Sequence, residues 1–403
     1  MSVPKEDLLS GAEALLPQAI ELRRAIHRHP ELGLELPRTK AQVLEVLGEI
    51  DDLQIVESER TSGVIATLKG AGNGPTILLR GDMDALPMPE DTGLAFASEV
   101  EGCMHACGHD SHVAMLAMAA KLLANHRDQL QGNVAFMFQP GEEGYAGAKV
   151  MLDEGLLDVP PAPQAAFALH IFPNLPNGVI ATRPGPMLAA ADTFRIDVVG
   201  RGGHASMPHQ ANDPIPVACE IVTALQTLVT RRIPAFDPVV LTVAKIEAGT
   251  TSNVIPESAG ILGTLRSFSP RSREIAIDGL ERVTSNIAAA HEMQGNIEVS
   301  TGYPPTLNDA EFADFVGTVA RDLLGENGYQ PLRAPMMGAE DFSYILQKMP
   351  GAMAGLGVAP DGVEPKDAPP CHSNRMLLNE SAMQQGIAMH AAVALRYLEG
   401  AAN

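Results

Sequence analysis

Three of the chain's 12 histidines fall in one stretch, Met104-His105-Ala106-Cys107-Gly108-His109-Asp110-Ser111-His112. Thiolate and imidazole are the preferred ligands of zinc and similar borderline metals. Cys107 and His109 flank a glycine ahead of a helical segment, a spacing that lets two ligands converge just before a helix. Read by itself, the stretch favours a metal site over the plainer reading of a polar loop with a buried cysteine. A second cluster is Phe138-Gln139-Pro140-Gly141-Glu142-Glu143-Gly144. Adjacent glutamates point in different directions, so one could ligate while the other faces a water; elsewhere such a pair is plain surface acidity. His170 closes the apolar run Ala166–His170, Cys371-His372-Ser373 lies in a polar loop, and Asp82 and Asp84 follow the run Thr76–Leu79. Each signal has an ordinary structural reading. Five of them together, mostly at the predicted strand ends of one domain, do not.

The elements that must carry these residues alternate. A helix is predicted over residues 8–29, strands over Val64–Leu68 and Thr76–Leu79, and a helix over 110–125. A strand follows over Asn133–Gln139, a short helix over Tyr145–Asp153 and a strand over Ala165–Ile171. This order implies an α/β domain with a mostly parallel sheet flanked by helices, whose strand ends gather sites. From about residue 190 the rhythm changes. Strands at 194–199, 239–246, 259–268 and 296–302 surround helices at 213–231 and 271–291, with Asp213 as N-cap before Pro214. The expected organisation is a catalytic domain of residues 1–189 and 303–403, interrupted by a smaller α+β domain at 190–302. Helices near 309–324 and 380–398 and a strand near 353–356 complete the first domain.

Composition removes whole classes of function. A net charge of −21 opposes binding to phosphate backbones, so no nucleic-acid partner is expected. No apolar run approaches a membrane span, and the start Met1-Ser2-Val3-Pro4-Lys5-Glu6-Asp7 does not read as a secretory signal, so the expected location is the cytoplasm. Four cysteines in 403 residues make no disulfide framework. The glycines of Gly70-Ala71-Gly72-Asn73-Gly74 lack dinucleotide-binding spacing and precede a strand, which argues against an oxidoreductase.

Taken together, the sequence resembles the di-metal aminoacylase/carboxypeptidase family of metallopeptidases, in its hippurate-hydrolase and auxin-conjugate-hydrolase branch. The resemblance runs through His27-Arg28-His29-Pro30-Glu31, Gly81-Asp82-Met83-Asp84, the Cys107/His109 stretch and Gly141-Glu142-Glu143-Gly144. It continues through Gly202-Gly203-His204-Ala205-Ser206, Gly338-Ala339-Glu340-Asp341-Phe342 and Cys371-His372. It implies two divalent ions per chain, of zinc, manganese, cobalt or nickel. Cys107 would bridge them, with His109 and His170 on one and Glu143 and His372 on the other. Glu142 would be the general base. The inserted domain would serve as lid and dimerisation unit, making a homodimer or higher homo-oligomer. His204, by itself a loop histidine with local hydrogen bonds, would then steady the oxyanion in the partner subunit's site. Asp84 either orients the site from behind or is structural. His105 and His112 receive no ligand role, and Cys103 and Cys219 read as packing residues.

The implied reaction is hydrolysis of an N-acyl amino acid to a carboxylic acid and a free amino acid, with Glu142 taking a proton from water and passing it to the leaving nitrogen. No serine sits in a nucleophile elbow. Asn253 and Arg266 are candidates to hold the substrate carboxylate, although Arg266, near a strand end, equally suits the surface. A dipeptidase or a small-substrate deacetylase is the alternative within the class. A non-catalytic binding protein is the alternative outside it, opposed by the presence of the base beside a full ligand set.

Overall fold

A computed structural model describes residues 3–401. The chain forms two compact units, one of Met1–Met187, Leu307–Ala334 and Tyr344–Asn403, the other of Leu188–Thr306 and Pro335–Ser343.

The first unit is built on eight strands: β1 (Leu53–Glu57), β2 (Val64–Lys69), β3 (Thr76–Asp82), β4 (Asn133–Gln139), β5 (Ala165–Phe172), β6 (Ile180–Thr182), β15 (Tyr329–Pro331) and β16 (Gly351–Gly357). Their order across the sheet is β1-β2-β4-β3-β5-β16-β6-β15. The four central strands, β4, β3, β5 and β16, run parallel, while β1 and β2 at one side and the β16–β6 pair at the other are antiparallel. β3 and β16 are buried along their whole length, which is why they read as continuous apolar runs rather than alternating ones. Register places Leu79 between Phe136 and Phe167.

Helices α1 (Lys5–Arg28), α3 (His109–Ala124) and α9 (Met383–Ala401) pack together, and α3 and α9 also touch β3. α3 is rich in Ala, Met and Leu and is buried on nearly every side. A helix apolar all round must lie inside the core, so its N-terminus is fixed in place.

No element is predicted between Pro30 and Val64, yet the chain there forms α2 (Pro37–Leu47) and the edge strand β1. The cap of α2 is remote: Leu36 at the N-cap has no capping side chain, and the Glu31 carboxylate accepts the N–H groups of Arg38 and Thr39 instead. The local start signal is Pro37 at the first helical position. In the glycine-rich turn, the N–H groups of Gly70, Gly72 and Gly74 donate to the carbonyls of Gly132, Leu130 and Gln131, and strand β3 follows.

The second unit holds an antiparallel sheet in the order β10-β12-β8-β13, formed by β8 (Ala190–Val199), β10 (Val239–Ala248), β12 (Ser258–Ser267) and β13 (Gln294–Thr301). Inward Phe194, Ile196 and Val198 alternate with outward residues on β8 and pack with Val217, Ile221 and Leu225 of α5 (Pro214–Arg232) and with Leu280 of α6 (Pro270–Ala290). Asp213 caps α5 by accepting the Ile215 N–H at 3.0 Å. Short strands β9 (Gly203–His204) and β11 (Val254–Ile255) pair with each other, as do β7 (Gly185–Leu188) and β14 (Thr306–Asn308). Residues 335–343, which the sequence reading groups with 303–403, cluster with this second unit. The Ala189 N–H, which donates to the carbonyls of Met336 and Gly338, ties them there. Among the described residues no helix is long and apolar enough to cross a membrane.

Candidate metal centre

The carboxyl ends of β3, β4 and β5 lie side by side, and each delivers a chemically active segment: Asp82 and Asp84, the Glu142–Glu143 loop, and His170. The start of α3 supplies Cys107 and His109. Gly108 between them is left-handed (φ +80°), and a Cβ there would come within 2.6 Å of the Ile171 side chain. Glycine is what lets the two ligand types turn toward one place. Gly141 (φ +70°) plays the same part before the glutamates, where a Cβ would meet Leu34 at 2.5 Å. His372 is in the left-handed region without being glycine (φ +67°), held by its N–H to the Ala106 carbonyl at 2.8 Å. Such strain in a non-glycine residue gathers at functional sites.

Donor atoms of Cys107, His109 and His170 all lie within 4.8 Å of one another, and so do those of Cys107, Glu143 and His372. The two triads share the Cys107 thiol. Glu142 joins His109 and Glu143 in a further group within the same 4.8 Å limit. The imidazoles are oriented from behind. His109 Nδ1–H donates to the Asp84 carbonyl at 2.8 Å, and His170 Nδ1–H donates to the Ile171 carbonyl at 2.7 Å. Both rings therefore turn Nε2 inward, and His170 Nε2 lies 3.4 Å from Cys107 Sγ. His109 Nε2 is buried and has no hydrogen-bond partner. A buried ring nitrogen aimed at a thiol and a carboxylate fits a cation, and the mixed S, N and O donors suit zinc-like metals.

Asp84 has a defined task. Its two carboxylate oxygens accept the N–H groups of Glu142 and Glu143, each at 2.9 Å. It fixes the glutamate loop with one side chain while its backbone orients His109. His112, read from sequence as having no ligand role, is a strut. Ile171 N–H donates to its Nε2 at 2.9 Å, and its Nδ1–H donates to Asp82 at 2.5 Å. Both ring nitrogens of His112 are thus used, whereas His109 Nε2 lies 3.4 Å from Asp82 Oδ2 and makes no hydrogen bond. Arg80 donates to Asp82 at 2.6 Å and to Gln139 at 2.9 Å, tying β3 to β4. Neither Asp82 nor His112 announces this in sequence, because the pairing spans three elements.

The electrostatics follow from the crowding. Burial opposes charge on His109, but Asp82, Asp84 and Glu143 outweigh it and raise its pKa well above the ordinary value. Burial and neighbouring His112 hold His170 well below the usual imidazole range, so it is neutral, as a ligand must be. Burial pushes Glu143 up, but the close approach of His372, whose Nε2 is 3.1 Å from Glu143 Oε1, and the charge of His109 bring it below the usual carboxylate value. The same contact raises His372. Contact with Cys371 and burial raise the Cys107 thiol, with Glu143 and Glu142 adding repulsion. A metal bound there would compete with protons for the same donor atoms.

The sequence profile of peptidase family M20/M25/M40 matches residues 78–396. The chain belongs to this family. Family membership makes it a hydrolase of amide bonds. It is 39% identical over 386 residues to IAA-amino acid hydrolase ILR1-like 4 of Arabidopsis thaliana, covering 94% of this chain and 85% of that one. It is 38% identical to the N-acetylcysteine deacetylase of Bacillus subtilis over 347 residues, covering 86% of this chain and 89% of the relative. Its fold matches the YXEP protein of Bacillus subtilis, a dinuclear metal-binding peptidase of the M20 family, with TM-score 0.83 at 34% identity, covering 96% of this chain and 99% of that one.

The remaining sequence candidates of this M20-family chain lie in the second unit. His204 is exposed on β9, paired with Val254, and its Nδ1 accepts the Ser206 N–H at 3.1 Å. Asn253 is exposed, and its carbonyl accepts the Ala205 N–H. Arg266 lies on β12 opposite Ala191 and Val240, partly buried. Cys371 was legible only as part of Cys-His-Ser; its thiol contacts Cys107 and faces the Ile171 carbonyl at 3.8 Å. Cys219 is exposed on α5, not packed as its apolar neighbours suggested, because it falls on the solvent side of that helix.

Proposed function

We propose that the protein hydrolyses N-acyl amino acids to a carboxylic acid and a free amino acid, using two divalent ions held by Cys107, His109, His170, Glu143 and His372. The observation that carries this reading is the Cys107 thiol shared by two donor triads. The printed activities of the plant and bacterial relatives, an amino acid conjugate hydrolase and a deacetylase, support the substrate class. Divalent ions bound there would supply Lewis acidity toward a water molecule and a carbonyl oxygen. The chain's own residues do the rest. Glu142, 6% exposed and held by Asp84 through its N–H, takes the proton on its carboxylate and delivers it to the leaving nitrogen. The carbonyls of Asp84 and Ile171 keep His109 and His170 facing inward. Metal identity is assigned to the set zinc, manganese, cobalt and nickel.

We assign Asn253 and Arg266 to the substrate carboxylate, the second unit to homodimerisation, and His204 to the partner subunit's oxyanion. We further assign the protein to the cytoplasm, where the Cys107 thiol that the proposed metal site needs stays reduced. The test is release of free amino acid by metal-reconstituted protein from a panel of N-acetyl, N-benzoyl and long-chain acyl amino acids and their amides. Turnover of the acids, with the amides at least about 100-fold poorer in kcat/KM, is expected. Cleavage of dipeptides alone would favour a dipeptidase, and no turnover of any amide would overturn the reading. Mixing His204→Ala with Glu142→Gln under subunit exchange should regain activity if His204 acts across the dimer, and none if it acts within its own chain.

A further inference from the structure

The motif His27-Arg28-His29-Pro30-Glu31 takes no part in the chemistry above, yet it reaches the scaffold of every proposed ligand but one. His27 is on α1 and 1% exposed. Its Nδ1 lies 2.7 Å from Asp110 Oδ2 and its Nε2 3.3 Å from Glu90 Oε1. Both partners are carboxylates, so the ring donates from both nitrogens and carries a charge. Arg23, one turn earlier, donates to the same Asp110 oxygen at 3.0 Å and to Glu380 at 2.8 Å. The ring of Phe96 covers His27 edge-on at 5.5 Å, and His105 lies 6.2 Å away.

The two carboxylates lead in different directions. Asp110 follows His109 and sits in the first turn of α3, where its charge also suits the helix N-terminus. Glu90 accepts the Ser98 N–H at 2.7 Å, and the next residue, Asp91, donates its N–H to the Asn374 carbonyl at 2.8 Å, two positions beyond His372. At the other end of the motif, the Glu31 carbonyl accepts the N–H of Ala85 at 2.8 Å, beside the Asp84 that holds Glu142 and Glu143. Only His170 is braced elsewhere, through Ile171 and His112.

We infer that His27 is a positioning residue for the metal centre: by clamping Asp110 and Glu90 together it sets the separation between His109 and the loop that carries His372. The inference rests on the two-metal reading. Groups hydrogen-bonded directly to metal ligands typically change metal affinity by about 10–100-fold when lost, and His27, one residue further out, is expected at the lower end of that range. A merely structural brace would lower stability equally with and without metal. A brace that shapes the ligand set lowers it more in the loaded protein, because metal binding stabilises the fold only as far as the affinity allows.

The experiment compares wild type, His27→Gln and Glu90→Gln after metal removal. Cobalt titration followed by absorption reads the thiolate and imidazole ligand field, competition with a chromophoric chelator reads zinc affinity, and melting temperatures are taken with and without metal. Two equivalents are expected in the wild type. His27→Gln should hold at least one ion about tenfold or more weakly, alter the cobalt spectrum, and lose more melting temperature loaded than empty. Glu90→Gln should move in the same directions by less. Unchanged affinity and spectrum, with equal loss of melting temperature in both states, would overturn the inference while leaving the metal reading intact. A wild type that binds no divalent ion would overturn both. If His27→Gln does not fold, Glu90→Gln decides alone, and wild-type affinity in that variant would refute the role.

Discussion

His109 and Asp110 are consecutive, both are wholly buried, and they belong to opposite kinds of charge cluster. Around Asp110 the chain supplies its own cations. Burial pushes this carboxyl up, but Arg23, a permanently charged guanidinium, and His27 hold it far below the usual range. Around Glu143 the balancing groups are the imidazoles of His372 and His109, which are the would-be ligands themselves, while the nearby Arg80 guanidinium is bound to Asp82 and Gln139. A cluster neutralised from within is a brace. A cluster whose positive charge comes from protons on its own donors exchanges those protons for a metal ion. Residue type does not separate the two, since both are built of acids and histidines; the nature of the counter-charge does.

The strongest way to break this contrast is to remove metal. Strong chelation should abolish activity completely, added divalent ion should restore it, and far-UV circular dichroism should hardly change, because the Arg23–Asp110 brace is independent of metal. Activity that survives verified metal removal would dissolve the distinction. Next in size is Glu142→Gln, which keeps the shape and removes the proton acceptor. Its kcat should fall by about 10²–10⁴ while metal analysis still finds both ions. Metal loss in that variant would instead mean that Glu142 and Glu143 exchange roles.

The brace is sharpened by stability. Arg23→Ala leaves Asp110 buried without its main cation and should destabilise by about 3–5 kcal/mol in denaturant unfolding. A loss under about 1 kcal/mol would show that Asp110 is not held as a charge. The smallest effect is one of pH. Burial pulls the His27 pKa down, but the charge and hydrogen bond of Asp110, with help from Glu90, raise it to about 9. A histidine raised above its unfolded value of about 6.5 contributes stability that is complete below that pH and lost as pH rises through about 9. Metal-free wild type should therefore lose on the order of 2 kcal/mol across that window relative to His27→Gln. Parallel curves for the two proteins would show that His27 carries no charge in the fold.

Much of this was legible in the sequence, because it depends on local pattern. The strand Asn133–Gln139 is predicted with its observed bounds, and Asp213 and Pro214 start α5 as the cap rules require. Continuous apolar runs mark the central strands, and the motif types of Cys107, Glu142 and His372 mark the chemistry. What the sequence alone could not carry was any relation between distant segments. Asp84 reaches forward to the glutamate loop, and His112 links the end of β3 to the backbone of β5. Hydrogen-bond partners between elements are chosen by the packing of a whole sheet and its helices. Local propensity decides that a residue sits on a helix or at a strand end. Only the tertiary structure decides whether the histidine there turns to a carboxylate, a carbonyl or a neighbouring thiol, and so whether it braces the fold or is free to take a metal.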